Sequence, residues 1–78
     1  MYYVYISNLA SEDNYIGSTE NLRIRINDHV IGNVRATRDY LPCVLVCYIA
    51  YNSTTKALLF EKCLKTGSGF VFRNRHLI

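Results

Sequence analysis

Residues 14–29 constrain this chain more than any other stretch, because they pass from strand chemistry to helix chemistry across a single glycine. Tyr15 and Ile16 are strand formers, and Gly17 permits a turn that a side chain would obstruct. Ser18 and Thr19 can accept hydrogen bonds from the unpaired N–H groups opening the next helix, and Glu20 suits its positive end. A helix over residues 20–31 follows. In it Leu22, Ile26 and Val30 recur every four residues as a stripe to bury against a sheet, and Gly32 is placed to end it in a left-handed cap. Arg25 and His29 are also four apart, about 40° from each other around the helix and on the border of that stripe. A cation and an imidazole held together where a helix meets its sheet mark a candidate site.

The rest of the chain supplies the sheet. Residues 2–6 alternate bulky β-formers, with Tyr3 and Tyr5 on one face and Tyr2, Val4 and Ile6 on the other. The polar residues 7–13 read as a hairpin loop. Centred near Ala10, it sets Tyr5 directly across from Tyr15, with Cβ atoms about 5 Å apart. Residues 33–41 form a connecting loop exposing Arg35, Thr37 and Arg38, and Pro42 punctuates it. Residues 43–50 are apolar without interruption, the pattern of a strand buried on both faces and hence of the central strand. Asn52 or Ser53 caps a second helix over residues 54–66, with Ala57, Phe60 and Leu64 inward and Lys62 and Lys65 near its negative end. Gly67 stops it, and a last short helix is expected over residues 70–77, carrying Arg73 and Arg75. The fold class expected is α/β in the broad sense, more narrowly α+β: a small three-stranded antiparallel sheet flanked by helices, one domain over residues 1–78.

Glu61 is the odd residue of the second helix. It lies about 40° from Ala57 and about 60° from Leu64 around the axis, inside or beside the buried stripe. A carboxylate there costs on the order of several kcal/mol unless it is paired or bound to a metal. An ion pair with Lys65, four residues on, contributes only about 0.3–0.5 kcal/mol on an exposed face. The residues alone leave pair and metal ligand both open.

The net charge of +3 is compatible with an anionic partner without requiring one. Half the residues are apolar and 19% are charged, which excludes a disordered chain. The longest apolar run, residues 44–51, is too short to cross a bilayer, and no signal peptide is evident. Three cysteines, Cys43, Cys47 and Cys63, argue against a disulfide-stapled secreted scaffold and for a reducing, intracellular setting, cytoplasmic, nucleoid-associated or in a viral host. Four residues of strand span about 13 Å, too far for Cys43 and Cys47 to share a tetrahedral zinc, so structural burial is expected of the cysteines.

In their order along the chain, these groups resemble a known family. Tyr15-Ile16-Gly17 resembles the second half of the motif that names the GIY-YIG nucleases, and Tyr3-Val4-Tyr5 sits where the first half belongs. Arg25 with His29 is similar to the family's helix arginine and following histidine, and Glu61 with Lys65 resembles its metal-binding glutamate helix. The closing Lys65-Thr66-Gly67-Ser68-Gly69 with Phe72 is similar to small stand-alone bacterial or viral members.

The resemblance implies a nuclease acting on nucleic acid, DNA above all, with a divalent metal, Mg²⁺ or Mn²⁺. It gives Tyr5 the proton of the attacking water, Tyr15 the positioning of that water or the scissile phosphate, and Arg25 the pentacovalent phosphate. His29 assists by hydrogen bonding or proton transfer, and Glu61 holds the metal. Gly17 lets the backbone turn beside the site, and Arg35, Arg38, Lys65 and Arg73 are expected as substrate contacts. Three positions depart from the family pattern. Its first glycine is Tyr3 here, the lysine before its second tripeptide is Asn14, and the arginine preceding the catalytic one is Ile24.

Chemically, the constellation suits phosphodiester hydrolysis. A single carboxylate with open positions fits Mg²⁺, and an arginine can stabilise charge developing on phosphate. A tyrosine is only about one part in a thousand phenolate at neutral pH, so a tyrosine base requires nearby cations, here Arg25 and the metal, to lower its pKa. Tyr5, Tyr15, Arg25, His29 and Glu61 are expected over one face of the sheet. Two other classes remain. A catalytically inactive nucleic-acid-binding module would bind with salt-dependent affinity and not cut, and a protein-interaction domain retaining the fold would show no such binding.

Overall fold

The structure, a computed structural model, describes residues 1–66. Strand β1 (Tyr2–Asn8) returns through a loop as β2 (Asn14–Thr19), which leads into helix α1 (Leu22–Val30). A short 3-10 turn (Arg38–Tyr40), strand β3 (Val44–Tyr51) and helix α2 (Thr54–Leu64) complete it. The three strands form an antiparallel sheet in the order β2-β1-β3, with α1 over one face and α2 over the other, the α+β architecture expected. The helix expected over residues 70–77, with Arg73, lies outside the described residues. Among the described residues no helix is long and apolar enough to cross a membrane.

The central strand is β1, where the sequence pointed to residues 43–50. Val4, Tyr5, Ile6 and Ser7 are buried in succession, whereas β3 lies at an edge and its burial alternates, leaving Val44, Val46, Tyr48 and Ala50 exposed. An uninterrupted apolar run does not distinguish a doubly covered strand from an edge strand. Pairing decides it, because β1 uses one edge for the hairpin and the other for β3.

The hairpin register also differs from expectation. Tyr5 lies opposite Gly17 and Tyr15 opposite Ser7, so the two tyrosines are diagonal neighbours. The loop is centred on Ser11 instead of Ala10, closed by the Leu9 N–H to Asp13 carbonyl bond at 2.9 Å and by Glu12 at φ 69°. A shift of this parity keeps every side chain on its expected face.

Helix α1 starts later than its polar lead-in suggested. Asn21 is the cap, its side chain accepting from the Ile24 N–H at 3.1 Å, while Ser18 and Thr19 stay in β2. Gly32 follows the helix at φ +82°, the left-handed conformation expected of it. The stripe behaves differently: Leu22 and Ile26 are half-buried, Val30 is 57% exposed, and the buried residue of α1 is His29. The helix is turned so that its polar border faces the sheet.

On the other face, Ala57 and Leu64 of α2 pack on Val4, Ile6 and Ile16, with Phe60 at the margin. Burying Leu64 alone contributes about 1.5–3 kcal/mol. Ser53 caps this helix, accepting from the Lys56 N–H at 3.3 Å. Cys43 is buried and Cys47 half-buried, but Cys63 is exposed, contrary to the burial expected of all three, because it lies on the solvent side of α2 beside Lys62.

Gly17 sits within β2, not in a turn, and its missing side chain serves space. A Cβ there would lie 2.5 Å from the Tyr5 hydroxyl oxygen and 2.6 Å from Tyr5 Cζ. We expect Gly17→Ala to lower unfolding free energy by about 1–3 kcal/mol, the range for overpacking a filled interior. Denaturant titration measures it, and a loss below about 0.5 kcal/mol, the level of an ordinary surface change, would mean the Tyr5 ring does not rest on Gly17.

Candidate active site

The site is built around one hydroxyl. Tyr5 is fully buried in the central strand, with its ring reaching over Gly17. From α1, Arg25 Nε donates to the Tyr5 oxygen at 3.3 Å, and His29 Nε2 lies 2.8 Å from it. One helical turn separates these two side chains, so both reach a single atom of the sheet. Tyr15, half-buried on β2, stacks edge-on to His29 with ring centroids 5.0 Å apart and lies 6.3 Å from the Tyr5 ring. The second imidazole nitrogen, Nδ1, lies 2.8 Å from the hydroxyl of Thr37, itself fully buried.

Burial raises the Tyr5 hydroxyl above its ordinary value near 10, and the hydrogen bond and charge of Arg25 offset only part of that. The lowering by Arg25 foreseen from sequence is therefore outweighed, and Tyr5 is a neutral phenol at neutral pH. Burial, and then the charge of Arg25, push His29 below 6.5, with Asp28 opposing. The imidazole is neutral and has a lone pair to offer.

Of the residues expected to form one site, the structure gathers Tyr5, Tyr15, Arg25 and His29 on the α1 face. Glu61 is not with them. It projects from α2, on the opposite face, where the Ser18 hydroxyl donates to Oε1 at 2.6 Å and Lys65 Nζ bonds Oε2 at 3.0 Å. The sequence places Glu61 on the inner side of α2, but which face of the sheet α2 covers depends on the crossover after β3, which no helix wheel contains. Ser18 follows Gly17 on edge strand β2, so the carboxylate reaches the rim of the same strand from behind. Burial alone would raise the Glu61 pKa, but the bonds from Ser18 and Lys65 outweigh it and hold the carboxyl below its usual value.

Arg35 and Arg38 are exposed in the connection after α1, as expected, and Lys65 is engaged by Glu61. Thr37 was expected to be exposed there and is instead buried against His29. One sequence signal bears on it. Val34 and Thr37 are three apart after Gly32, and a turn closed by the Thr37 and Arg38 N–H groups on the Val34 carbonyl puts both residues inward.

A family model described as the GIY-YIG catalytic domain matches residues 1–74. The chain belongs to the GIY-YIG family. Among solved structures this GIY-YIG chain is similar to the UPF0213 protein BH0048 from Bacillus halodurans, determined by solution NMR. The two are 28% identical with a TM-score of 0.61, and the match covers 96% of this chain and 84% of that one. No curated protein matches it. Family membership makes this a nuclease-type domain with nucleic acid as the implied substrate.

The neutral His29 of this GIY-YIG domain has a consequence for stability. The unfolded imidazole takes a proton near pH 6.5, and the folded one only at lower pH. The contribution is therefore fully present above about pH 6.5 and is lost as pH falls through the window below it. Glu61, whose folded value is also lowered, acts in a separate and more acidic window. We expect urea midpoints to fall from pH 7 to pH 5, and less steeply in His29→Gln. Equal slopes would mean that His29 titrates as it does in water.

Proposed function

We propose that this GIY-YIG domain is a metal-dependent endonuclease that hydrolyses phosphodiester bonds in DNA. The observation that carries this reading is the Tyr5 hydroxyl held between a cation, Arg25, and a neutral base, His29. A neutral phenol cannot take a proton without losing its own. As water attacks the phosphorus, the Tyr5 oxygen accepts the water's proton while its own passes to His29 Nε2. The imidazolium later releases that proton, and solvent protonates the leaving oxygen. Such paired transfer meets the general-base requirement without a standing phenolate.

Arg25 is the substrate's point of entry. It is half-buried, and its bond to Tyr5 is long at 3.3 Å, so a phosphate oxygen competes for it on good terms. Drawn outward, the guanidinium stabilises the charge that builds on phosphorus and uncovers the Tyr5 oxygen. Tyr15, half-buried on β2 with its ring against His29 and beside that of Tyr5, positions the phosphate or the water.

The donor set at Glu61 fits a divalent ion of one kind. The carboxylate is ionised, and Lys65 is 55% exposed and free to leave it. Among the described residues no three acidic, histidine or cysteine side chains cluster to hold an ion, and Glu61 is the carboxylate proposed to hold a metal there, Mg²⁺ being the ion that keeps several waters of its own. When bound, it supplies charge neutralisation on the phosphate. A nucleic-acid backbone crossing the thin edge at β2 would meet Arg25 on one side and Glu61 on the other. Arg35 and Arg38 are proposed as rim contacts, Lys65 as a contact once released, and Arg73 as a further one from the sequence.

Incubation with branched, nicked, single- and double-stranded DNA in Mg²⁺ or Mn²⁺ is expected to show cutting of at least one form. In single turnover at saturating protein, Arg25→Ala should slow cutting about a hundredfold or more with little change in binding. Arg25→Lys should recover little, since an ammonium lacks the planar fork. Arg38→Ala should weaken binding and lower its salt slope by about one. Equal losses of binding and rate in Arg25→Ala and Arg38→Ala would make Arg25 a rim contact. Glu61→Gln should abolish cutting and keep binding; normal cutting with an earlier unfolding midpoint would make Glu61 an ion-pair residue only.

A further inference from the structure

We propose that Thr37 is a positioning residue: its hydroxyl fixes His29 as the tautomer protonated on Nδ1, leaving the Nε2 lone pair for the Tyr5 hydroxyl. This rests on the reading of Tyr5 and His29 as a proton-transfer pair.

The three groups form a closed chain. Tyr5 Oη lies 2.8 Å from His29 Nε2, and His29 Nδ1 lies 2.8 Å from Thr37 Oγ1. Exposure is 0% for Tyr5, 1% for His29 and 0% for Thr37, so no bulk water interrupts it. A neutral imidazole carries one proton, and the chain runs in one of two directions. Either Tyr5 donates to Nε2 and Nδ1–H donates to Thr37, or Thr37 donates to Nδ1 and Nε2–H donates to Tyr5.

Two features select the first. A phenol is a far stronger acid than an alcohol, so it is the better donor to imidazole. Arg25 Nε–H, which can only donate, already occupies the Tyr5 oxygen and makes its proton more acidic still. The second direction would add a further donor to that oxygen and leave the phenol proton, the most acidic of the three, outside the chain.

The fold holds Thr37 in place through a turn that leaves α1 by way of bonds from Gly32 N–H to the His29 carbonyl and from Asn33 N–H to the Asp28 carbonyl. The turn after Gly32 is closed by the Thr37 N–H on the Val34 carbonyl at 3.1 Å and the Arg38 N–H on the same oxygen at 2.9 Å. Val34 is buried beside it, and the Tyr40 carbonyl accepts from Ala10 N–H of the hairpin loop at 2.8 Å. The connection between α1 and β3 is thus held by buried Val34 before Thr37 and by the bond to the hairpin loop after it. Second bonds of this kind commonly fix which imidazole nitrogen carries the proton.

The test uses the full chain and two variants: Thr37→Val, which keeps the shape and removes the hydroxyl, and Thr37→Ser, which keeps the hydroxyl. Imidazole ¹⁵N shifts report the tautomer directly, with no dependence on activity. His29 is expected to be protonated on Nδ1 in the parent and in Thr37→Ser, and to shift towards Nε2–H in Thr37→Val. In single turnover, Thr37→Val is expected to lose about tenfold or more in rate with substrate binding unchanged, and Thr37→Ser to stay near the parent. Its pH–rate profile should also move, read against the other ionisable or charged groups facing His29: Tyr5, Tyr15, Arg25 and Asp28.

A parent spectrum with the proton on Nε2, or one unchanged in Thr37→Val, overturns the proposal. So does a shifted tautomer with an unchanged cleavage rate. A parent that cuts no nucleic acid sinks the nuclease reading instead, and the ¹⁵N spectra still decide the tautomer.

Discussion

A phenol hydroxyl buried in the central strand of a small sheet must find hydrogen-bond partners, and the way Tyr5 finds them organises half of this molecule. An unpaired hydroxyl there would cost about 1–3 kcal/mol, a large share of the stability of so short a chain. The partners come from α1, which turns its Arg25–His29 border inward and leaves Val30 at the surface. The strand beneath must carry glycine, because the tyrosine ring occupies the space of a side chain at Gly17. The loop beyond must return to the sheet, because the imidazole recruited for Tyr5 has a second nitrogen to satisfy, and Thr37 meets it. Each of these features is unfavourable in isolation. Together they make one satisfied polar cluster inside the fold.

The other face follows ordinary rules. Ala57 and Leu64 seal Val4, Ile6 and Ile16 from solvent, and the polar exception is Glu61, bonded to Ser18. The apolar face buries the hydrophobic core, and the polar face holds the Tyr5 cluster on which the proposed reaction rests. They meet at the edge strand β2, where Gly17 lies under the phenol and the next residue, Ser18, holds the carboxylate. In the proposed reaction that rim is where an extended phosphodiester backbone finds both groups.

What was legible in the sequence divides along physical lines. The helix and strand types follow from local patterns, and so do the inward Ala57 and Leu64 and the pairing of Arg25 with His29 on one helical border. Family membership follows from the order of Tyr5, Tyr15, Gly17, Arg25, His29 and Glu61, which the matched family model spans. The features set by long-range pairing were not legible. The hairpin register depended on the length of a polar loop with no strong turn signature. The central strand depended on which edges of β1 are used, which the apolar run of β3 disguises. The face taken by Glu61 depended on the crossover into α2. Thr37 combines the difficulties, since its partner lies in another element and its loop reads as solvated surface.

The central claim is that the Tyr5 hydroxyl, and not merely its ring, is the working atom of the site. Tyr5→Phe removes that one oxygen and keeps the ring that packs on Gly17. Measured in single turnover beside a binding titration and an unfolding curve, we expect the rate of cutting to fall about 10²- to 10⁴-fold, the range for losing a general base, with nucleic-acid binding retained and the protein folded. A folded Tyr5→Phe protein that cuts at the parent rate would contradict the account at its root.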